Sequence, residues 1–367
     1  MRYPLTEEER MIQNTARDFA EKDLAAVATE TNEQGIFASE IYNKLGELGF
    51  MGMTVPEAYG GVGLSTFCLA LALEEISRVC ASTSVAVSVH NSLVNWAIFE
   101  YGSDELRDRY LGQLSSGGII GAYALTEPEA GSDVAALRCT AEKRGDEYIL
   151  NGTKIFISTG DKAGLIVVFA RTDPENGPRG ISAFLVEPGY PGFSIGKTEN
   201  KMGLKASTTV ELVFENCKVP ASNLLGKEGE GMKIALAGLD GGRIGIAAQS
   251  VGLAQAALDE AVRFGRERKQ FGQRIIDFQA TRWKIADMAT AIEASRLLVY
   301  NAARLKDSGE TVSKEASMAK LFASTTANRA AYDALQIHGG VGYTTEFTIE
   351  RIFRDARVTE IYEGTSE

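Results

Sequence analysis

The feature that most constrains this chain is a change of hydrophobic period partway along it. Ile12, Thr15 and Phe19, then Leu69, Leu73 and Ile76, recur at helical spacing, and Leu93 to Phe99 resumes the pattern. From about residue 121 the period shortens. Tyr148-Ile149-Leu150, Asn151-Gly152 and Lys154-Ile155-Phe156-Ile157 predict a hairpin closed by a type I′ Asn-Gly turn. Leu165–Ala170, Ile181–Val186 and Val210–Phe214 predict further strands between Gly, Pro, Asn and Asp boundaries. After Pro220 and the 226–231 glycine loop the helical spacing returns, with Ile285, Met288 and Ile292 on one face and Ser308-Gly309 between two helices.

A chain of 367 residues exceeds what one core normally organises. The expected fold is therefore α+β and multidomain. An N-terminal α-helical domain covers 1–120, a central antiparallel β-barrel or sandwich 121–228, and a C-terminal antiparallel four-helix bundle 229–367. At the start, Thr6 and Glu9 have the spacing of a capping box, while Pro56, Gly60-Gly61 and Gly63 mark a loop.

Composition removes several function classes. A net charge of −11 disfavours a nucleic-acid surface, which needs clustered cations to neutralise phosphates. Cys68, Cys80, Cys139 and Cys217 are too scattered for a disulfide scaffold and read as reduced thiols. With only His90 and His338, the nitrogen and sulfur ligands for a zinc site are too few, so no metal is expected. The opening Met-Arg-Tyr-Pro-Leu-Thr lacks the basic-then-apolar layout of a signal peptide. The expected location is cytoplasmic, of bacterial type, or the mitochondrial matrix if a transit peptide has been removed.

No G-x-G-x-x-G opens a βαβ unit, which disfavours a nicotinamide fold. Instead Tyr123-Ala124-Leu125-Thr126-Glu127-Pro128 leads into Gly131-Ser132-Asp133, a bend offering backbone amides and a hydroxyl to a phosphate; taken alone, it reads as a structural turn sooner than as a ligand site. Gly238, Gly241 and Gly242 fall inside a helical stretch, where each costs about 1 kcal/mol relative to alanine, so another group must approach closely. Asp240 and Arg243 share a face there, and on their own would form an intrahelical ion pair.

The C-terminal run Ile361-Tyr362-Glu363-Gly364-Thr365, together with the Thr126-Glu127-Pro128 loop, resembles the acyl-CoA dehydrogenase family, most nearly its short-chain, butyryl-CoA branch. The resemblance spans essentially the whole chain. It implies a non-covalent FAD held by Tyr123, Leu125, Thr126, Gly131, Ser132, Phe156, Ile157, Ser158, Thr365 and Glu367. Arg268, Phe271, Gln279, Gln336, Gly339 and Gly340 resemble family segments that reach the flavin of a neighbouring subunit, which implies a homotetramer built as a dimer of dimers. Ser132, Leu239, Asp240, Arg243, Tyr362 and Gly364 correspond to substrate contacts.

In the same resemblance Glu363 is the base that removes the α-proton of an acyl-CoA, the β-hydride passes to flavin N5, and electrons go on to electron-transfer flavoprotein. Other branches carry the carboxylate at the position of Gly242, where glycine cannot serve. Ser84 stands where glutaryl enzymes have an arginine, so a dicarboxylate is not expected; the substrate that the resemblance implies is a short- to medium-chain acyl-CoA, and the similarity of Ser82 to Leu93 to short-chain enzymes points to about four carbons. Two rivals share the fold: an oxygen-using oxidase and a non-catalytic acyl-CoA-binding protein. His338 is expected to be a hydrogen-bonded core residue, and Glu360 a surface ion-pair partner.

Overall fold

The computed structural model describes residues 3–367. Seven helices come first: α1 (Glu7–Phe19), α2 (Ala25–Gln34), α3 (Ser39–Glu47), α4 (Thr66–Val79), α5 (Ala81–Val89), α6 (Trp96–Tyr101) and α7 (Asp104–Ser115). Thr6 caps α1 as its sequence predicts: its hydroxyl accepts the Glu9 N–H while Glu9 Oε2 accepts the Thr6 N–H at 2.9 Å. Ser82, Thr83 and Ser84 are helical and buried in α5. A π-helical turn, His90–Asn95, joins α5 to α6. Its buried Asn91 and Asn95 side chains donate to the Phe50 and Met51 carbonyls, pinning the loop beneath.

The strands are β1 (Ile120–Ala124), β2 (Thr140–Arg144), β3 (Glu147–Ser158), β4 (Ala163–Arg171), β5 (Ile181–Val186), β6 (Phe193–Thr198), β7 (Thr209–Pro220) and β8 (Leu224–Leu225). They hydrogen-bond in the order β6-β7-β3-β2-β4-β5-β8, with β1 paired to β4. Most pairs are antiparallel, but β1 runs parallel to β4, which corrects the purely antiparallel expectation. Tyr148 of β3 and Phe184 of β5 are not sheet neighbours, yet their rings lie 4.8 Å apart. The sheet therefore folds over its own core, as a sandwich requires.

The Asn151-Gly152 hairpin is not formed. Both residues lie within the long strand β3, and the chain actually reverses at Gly145-Asp146 between β2 and β3. Gly152 is needed for a different reason: at φ +144°, a Cβ there would stand 2.8 Å from the Cys139 backbone. The pair marks a register shift between Leu150 and Gly152, not a turn.

The C-terminal helices are α8 (Gly231–Glu267), α9 (Gln279–Asp307), α10 (Ser313–His338) and α11 (Thr348–Arg357), with a small hairpin of β9 (Lys269–Gln270) and β10 (Gln273–Arg274) after α8. Their alanine-rich faces merge with α1, α4 and α5 into one core. A second cluster of α6, α7, β4, β5 and the start of α8 ties all three layers together, so the clefts between them have rigid walls.

Candidate active site

The last residues double back after α11. A 3₁₀ turn covers Val358–Glu360, the Ile361 and Tyr362 N–H groups bond the Val358 carbonyl, and the Ser366 N–H reaches the Glu360 carbonyl at 3.0 Å. Glu363 and Gly364 both adopt left-handed backbone, φ 53° and 92°. Glycine does so freely, whereas a glutamate there costs on the order of 1–3 kcal/mol, strain that its surroundings must hold.

The turn delivers the Glu363 carboxylate against α8. Its Oε2 is enclosed and has no hydrogen-bond partner among the described residues. A Cβ on Gly242 would lie 2.6 Å from that oxygen, so glycine at 242 makes the room for it. The close approach predicted for this glycine-rich stretch is thus a carboxylate. Burial raises the Glu363 pKa to about 7, opposed by the positive charges of Arg243 and Lys320.

The carboxylate borders a cavity of 580 Å³. Its walls are Thr126, Gly131 and Ser132 of the loop after β1, Phe156 and Ser158 of β3, Lys201 to Leu204 before β7, Arg354 and Arg357 of α11, the Ile361–Thr365 turn, and Val85 of α5. A register shift in β3 between Lys154 and Ile157 turns Phe156 outward, 60 % exposed at φ 57°, and returns Ile157 to the sheet core. The loop is fixed by the Ile155 N–H bonding the Thr126 carbonyl at 2.9 Å. Beneath it, buried Lys154 binds the Leu125 carbonyl at 3.0 Å and Glu127 at 2.6 Å.

Of the residues singled out in sequence, Thr126, Gly131, Ser132, Phe156, Ser158, Tyr362, Glu363, Gly364 and Thr365 come together around this cavity. The Ile157 side chain does not, since it joins the β-domain core, and Leu125 is buried in the cluster joining the layers. Tyr123 lies deeper. Its hydroxyl is enclosed without a partner among the described residues, and burial with the nearby Glu363 charge holds its pKa far above normal. Tyr362 donates to Gln249.

Asp240 and Arg243 form the intrahelical ion pair at 3.0 Å, and Arg243 also points its Nε at the Glu363 carbonyl, 3.4 Å away. Leu239 packs against the joining cluster. Arg268, Phe271, Gln279, Gln336, Gly339, Gly340 and Glu367 are exposed, and none lines the cavity. His338 is buried, bonds the Ala334 carbonyl at 2.8 Å and stacks on Phe264, a core role as expected. Glu360 pairs with Arg357 at 2.8 Å.

Sequence reasoning missed Lys201 and Lys320. Lys320 had a readable signal: it interrupts the alanine face of α10 formed by Ala316, Ala319, Ala323 and Ala327, where a lysine must be buried. Among the described residues no cluster of His, Cys, Asp and Glu could hold a metal ion, and no helix is long and apolar enough to cross a membrane.

Three adjoining segments match acyl-CoA dehydrogenase domains: the N-terminal domain at residues 6–118, the middle domain at 122–217 and the C-terminal domain at 229–367. The chain belongs to the acyl-CoA dehydrogenase family. It is 48 % identical to acryloyl-CoA reductase (NADH) of Anaerotignum propionicum, over all of this chain and 93 % of that protein. It is 47 % identical to the short-chain specific acyl-CoA dehydrogenase of Clostridium acetobutylicum, over all of this chain and 97 % of that one. Butyryl-CoA dehydrogenase from Megasphaera elsdenii superposes with a TM-score of 0.98 at 44 % identity, covering all of this chain and 97 % of that one. A chain in the structure described as electron transferring flavoprotein of Acidaminococcus fermentans gives 0.98 at 50 % identity, covering all of this chain and 96 % of that one.

As a member of this family the chain is a flavin-dependent oxidoreductase that acts on acyl-CoA, and its cofactor is FAD. The cavity fits that cofactor: the Phe156 ring offers an aromatic wall, Thr126, Ser132, Ser158 and Thr365 put hydroxyls on its rim, and open space fronts the Gly131 backbone.

Proposed function

We propose that this acyl-CoA dehydrogenase converts a short acyl-CoA of about four carbons to the trans-2-enoyl-CoA, with Glu363 as the base. The observation that carries this reading is Oε2 of the Glu363 carboxylate, enclosed, without a hydrogen-bond partner among the described residues, on a side chain that borders the cavity. A base for a weakly acidic C–H needs a raised pKa and excluded water, and burial supplies both. FAD would be held by the loop after β1 and by Phe156 and Ser158, and would supply the hydride acceptor. The Glu363 backbone N–H polarises the thioester oxygen while the side chain takes the α-proton.

The short acyl length has a structural support. One helical turn from Gly242, the Ser88 hydroxyl of α5 packs so closely on Gly245 that a Cβ there would overlap it. Close packing of the two helices at that point supports a short acyl chain. The 580 Å³ cavity is lined mainly by middle-domain and C-terminal residues, which supports domain boundaries near 120 and 228.

Electrons pass to electron-transfer flavoprotein, a partner suggested by the Acidaminococcus relative, and exposed Arg268, Phe271, Gln336 and their neighbours complete the flavin site of another subunit in a homotetramer. The reductase relative favours a second reading in which the same site runs backwards. A carboxyl with a pKa of about 7 is available near neutrality both to accept a proton and to give one.

The test is an anaerobic titration of the yellow protein against acyl-CoAs of increasing length, with Glu363→Gln alongside. Wild type should bleach most readily with the four-carbon thioester. The variant should keep FAD and fail to bleach; unchanged bleaching would remove Glu363 as the base. Rapid reoxidation by air would favour the oxidase rival over electron-transfer flavoprotein.

A further inference from the structure

The Glu363–Gly364 turn holds two consecutive left-handed residues, and its carbonyls are gripped by two cations from different helices. Arg243 of α8 points at the Glu363 carbonyl, and Lys320 of α10 donates to the Gly364 carbonyl at 2.7 Å. Lys320 is only 4 % exposed, and among the described residues that carbonyl is its one hydrogen-bond partner, with no carboxylate at ion-pair distance. A buried ammonium on a neutral oxygen is expensive, and an apolar side chain would suit the alanine face of α10 better. Stability therefore does not account for a lysine here.

We propose that Lys320 is a positioning residue for the base: its ammonium locks the Glu363–Gly364 turn against α10, which keeps the Glu363 carboxylate over Gly242, and its charge favours the ionised carboxylate. The inference rests on Glu363 being the base. The groups that share this field are Glu363, Glu360 and Glu367 of the C-terminal segment, Arg243 of α8, and the Tyr123 and Tyr362 hydroxyls facing Glu363. Burial lowers the Lys320 pKa to about 8, partly offset by Glu363, so the lysine is charged where Glu363 titrates.

Two substitutions separate its roles. Lys320→Gln keeps a donor for the Gly364 carbonyl but removes the charge, and Lys320→Met removes both. In the FAD-loaded protein, the anaerobic bleaching rate by butyryl-CoA is followed from pH 5.5 to 9. For Lys320→Gln the acid limb should move to higher pH, with a loss of roughly tenfold at pH 6.5 and a near-normal plateau above pH 8.5. For Lys320→Met the plateau should fall as well, while the flavin spectrum and FAD retention stay unchanged. If Met at 320 prevents folding, the Gln profile alone decides.

A wild-type acid limb in Lys320→Gln overturns the proposal. Glu363→Gln in the same series keeps the two readings apart. If it still bleaches, the base assignment has failed; if it is dead while the Lys320 variants behave as wild type, only this inference falls.

Discussion

Gly242 and Glu363 are two halves of one fit: a Cβ on the first would stand 2.6 Å from Oε2 of the second. Both residues address the same space, one from a helix and one from a C-terminal turn. Gly242→Ala should therefore push the carboxylate aside and lower the bleaching rate by tenfold or more, with FAD retained, because misplacement of a catalytic group by about 1 Å can cost on the order of 10²-fold. Moving the carboxylate, as Gly242→Glu with Glu363→Gly, should restore part of what Glu363→Gly alone loses. Stopped-flow reduction of the three variants and wild type measures this, and a Gly242→Ala protein with normal rates would show that the space is not shared.

The same carboxyl ties activity to pH and stability to pH in opposite senses. Its folded pKa of about 7 lies above the ordinary 4.5, so between those values the folded chain holds a proton that the unfolded chain has released. Stability from this group is present below pH 4.5 and lost as pH rises through 7. Proton abstraction instead needs the ionised form and should rise through pH 7. Asp355, pushed up to about 6 by burial, adds to the first trend, while buried His90, lowered to about 4, opposes it between pH 4 and 6.5. Glu363→Gln isolates the term: its melting temperature should fall less than wild type's from pH 5 to 7.

Much of this site was legible because its residues are strung along short motifs. Thr126 to Ser132 and Tyr362 to Thr365 each form one continuous turn, so a motif reading captures their placement. What sequence could not give was side-chain direction. Ile157 sits between two cavity residues, yet a register shift in β3 turns it into the core. Asn151-Gly152 has the chemistry of a tight turn, but pairing with β7 continues the strand through it, and the glycine serves the close approach of Cys139. Arg243 was read as a substrate contact, while the fold also aims it at the Glu363 backbone, a partner 120 residues away.

Beneath the flavin loop, Lys154 and Glu127 form a pair that is almost wholly buried. Glu127 also accepts the Arg138 and Cys139 backbone N–H groups, and Lys154 holds the Leu125 carbonyl. Lys154→Met would leave a buried carboxylate without its cation and should cost about 3–5 kcal/mol. The expected result is a clearly lower melting temperature together with faster FAD loss, since the Leu125–Thr126 segment loses its tether. Adding Glu127→Gln should recover part of the stability, because the uncompensated charge is then gone. A single variant as stable as wild type would mean that the pair does not hold the loop.

At the tip of the β9–β10 hairpin, Phe271 is 95 % exposed and held at φ 50°. An aromatic ring in that position gains from its own chain only an edge contact with Phe278, 6.3 Å between ring centroids, and carries backbone strain as well. The arrangement makes sense if the ring is covered by another subunit, beside exposed Arg268. Phe271→Gly should relieve the strain and leave the isolated chain no less stable, yet weaken association and FAD retention together. Arg268→Ala should weaken FAD retention with a smaller effect on assembly. Sedimentation velocity combined with flavin release on dilution distinguishes these outcomes. A Phe271→Gly protein that keeps wild-type mass and flavin would place the subunit contact elsewhere.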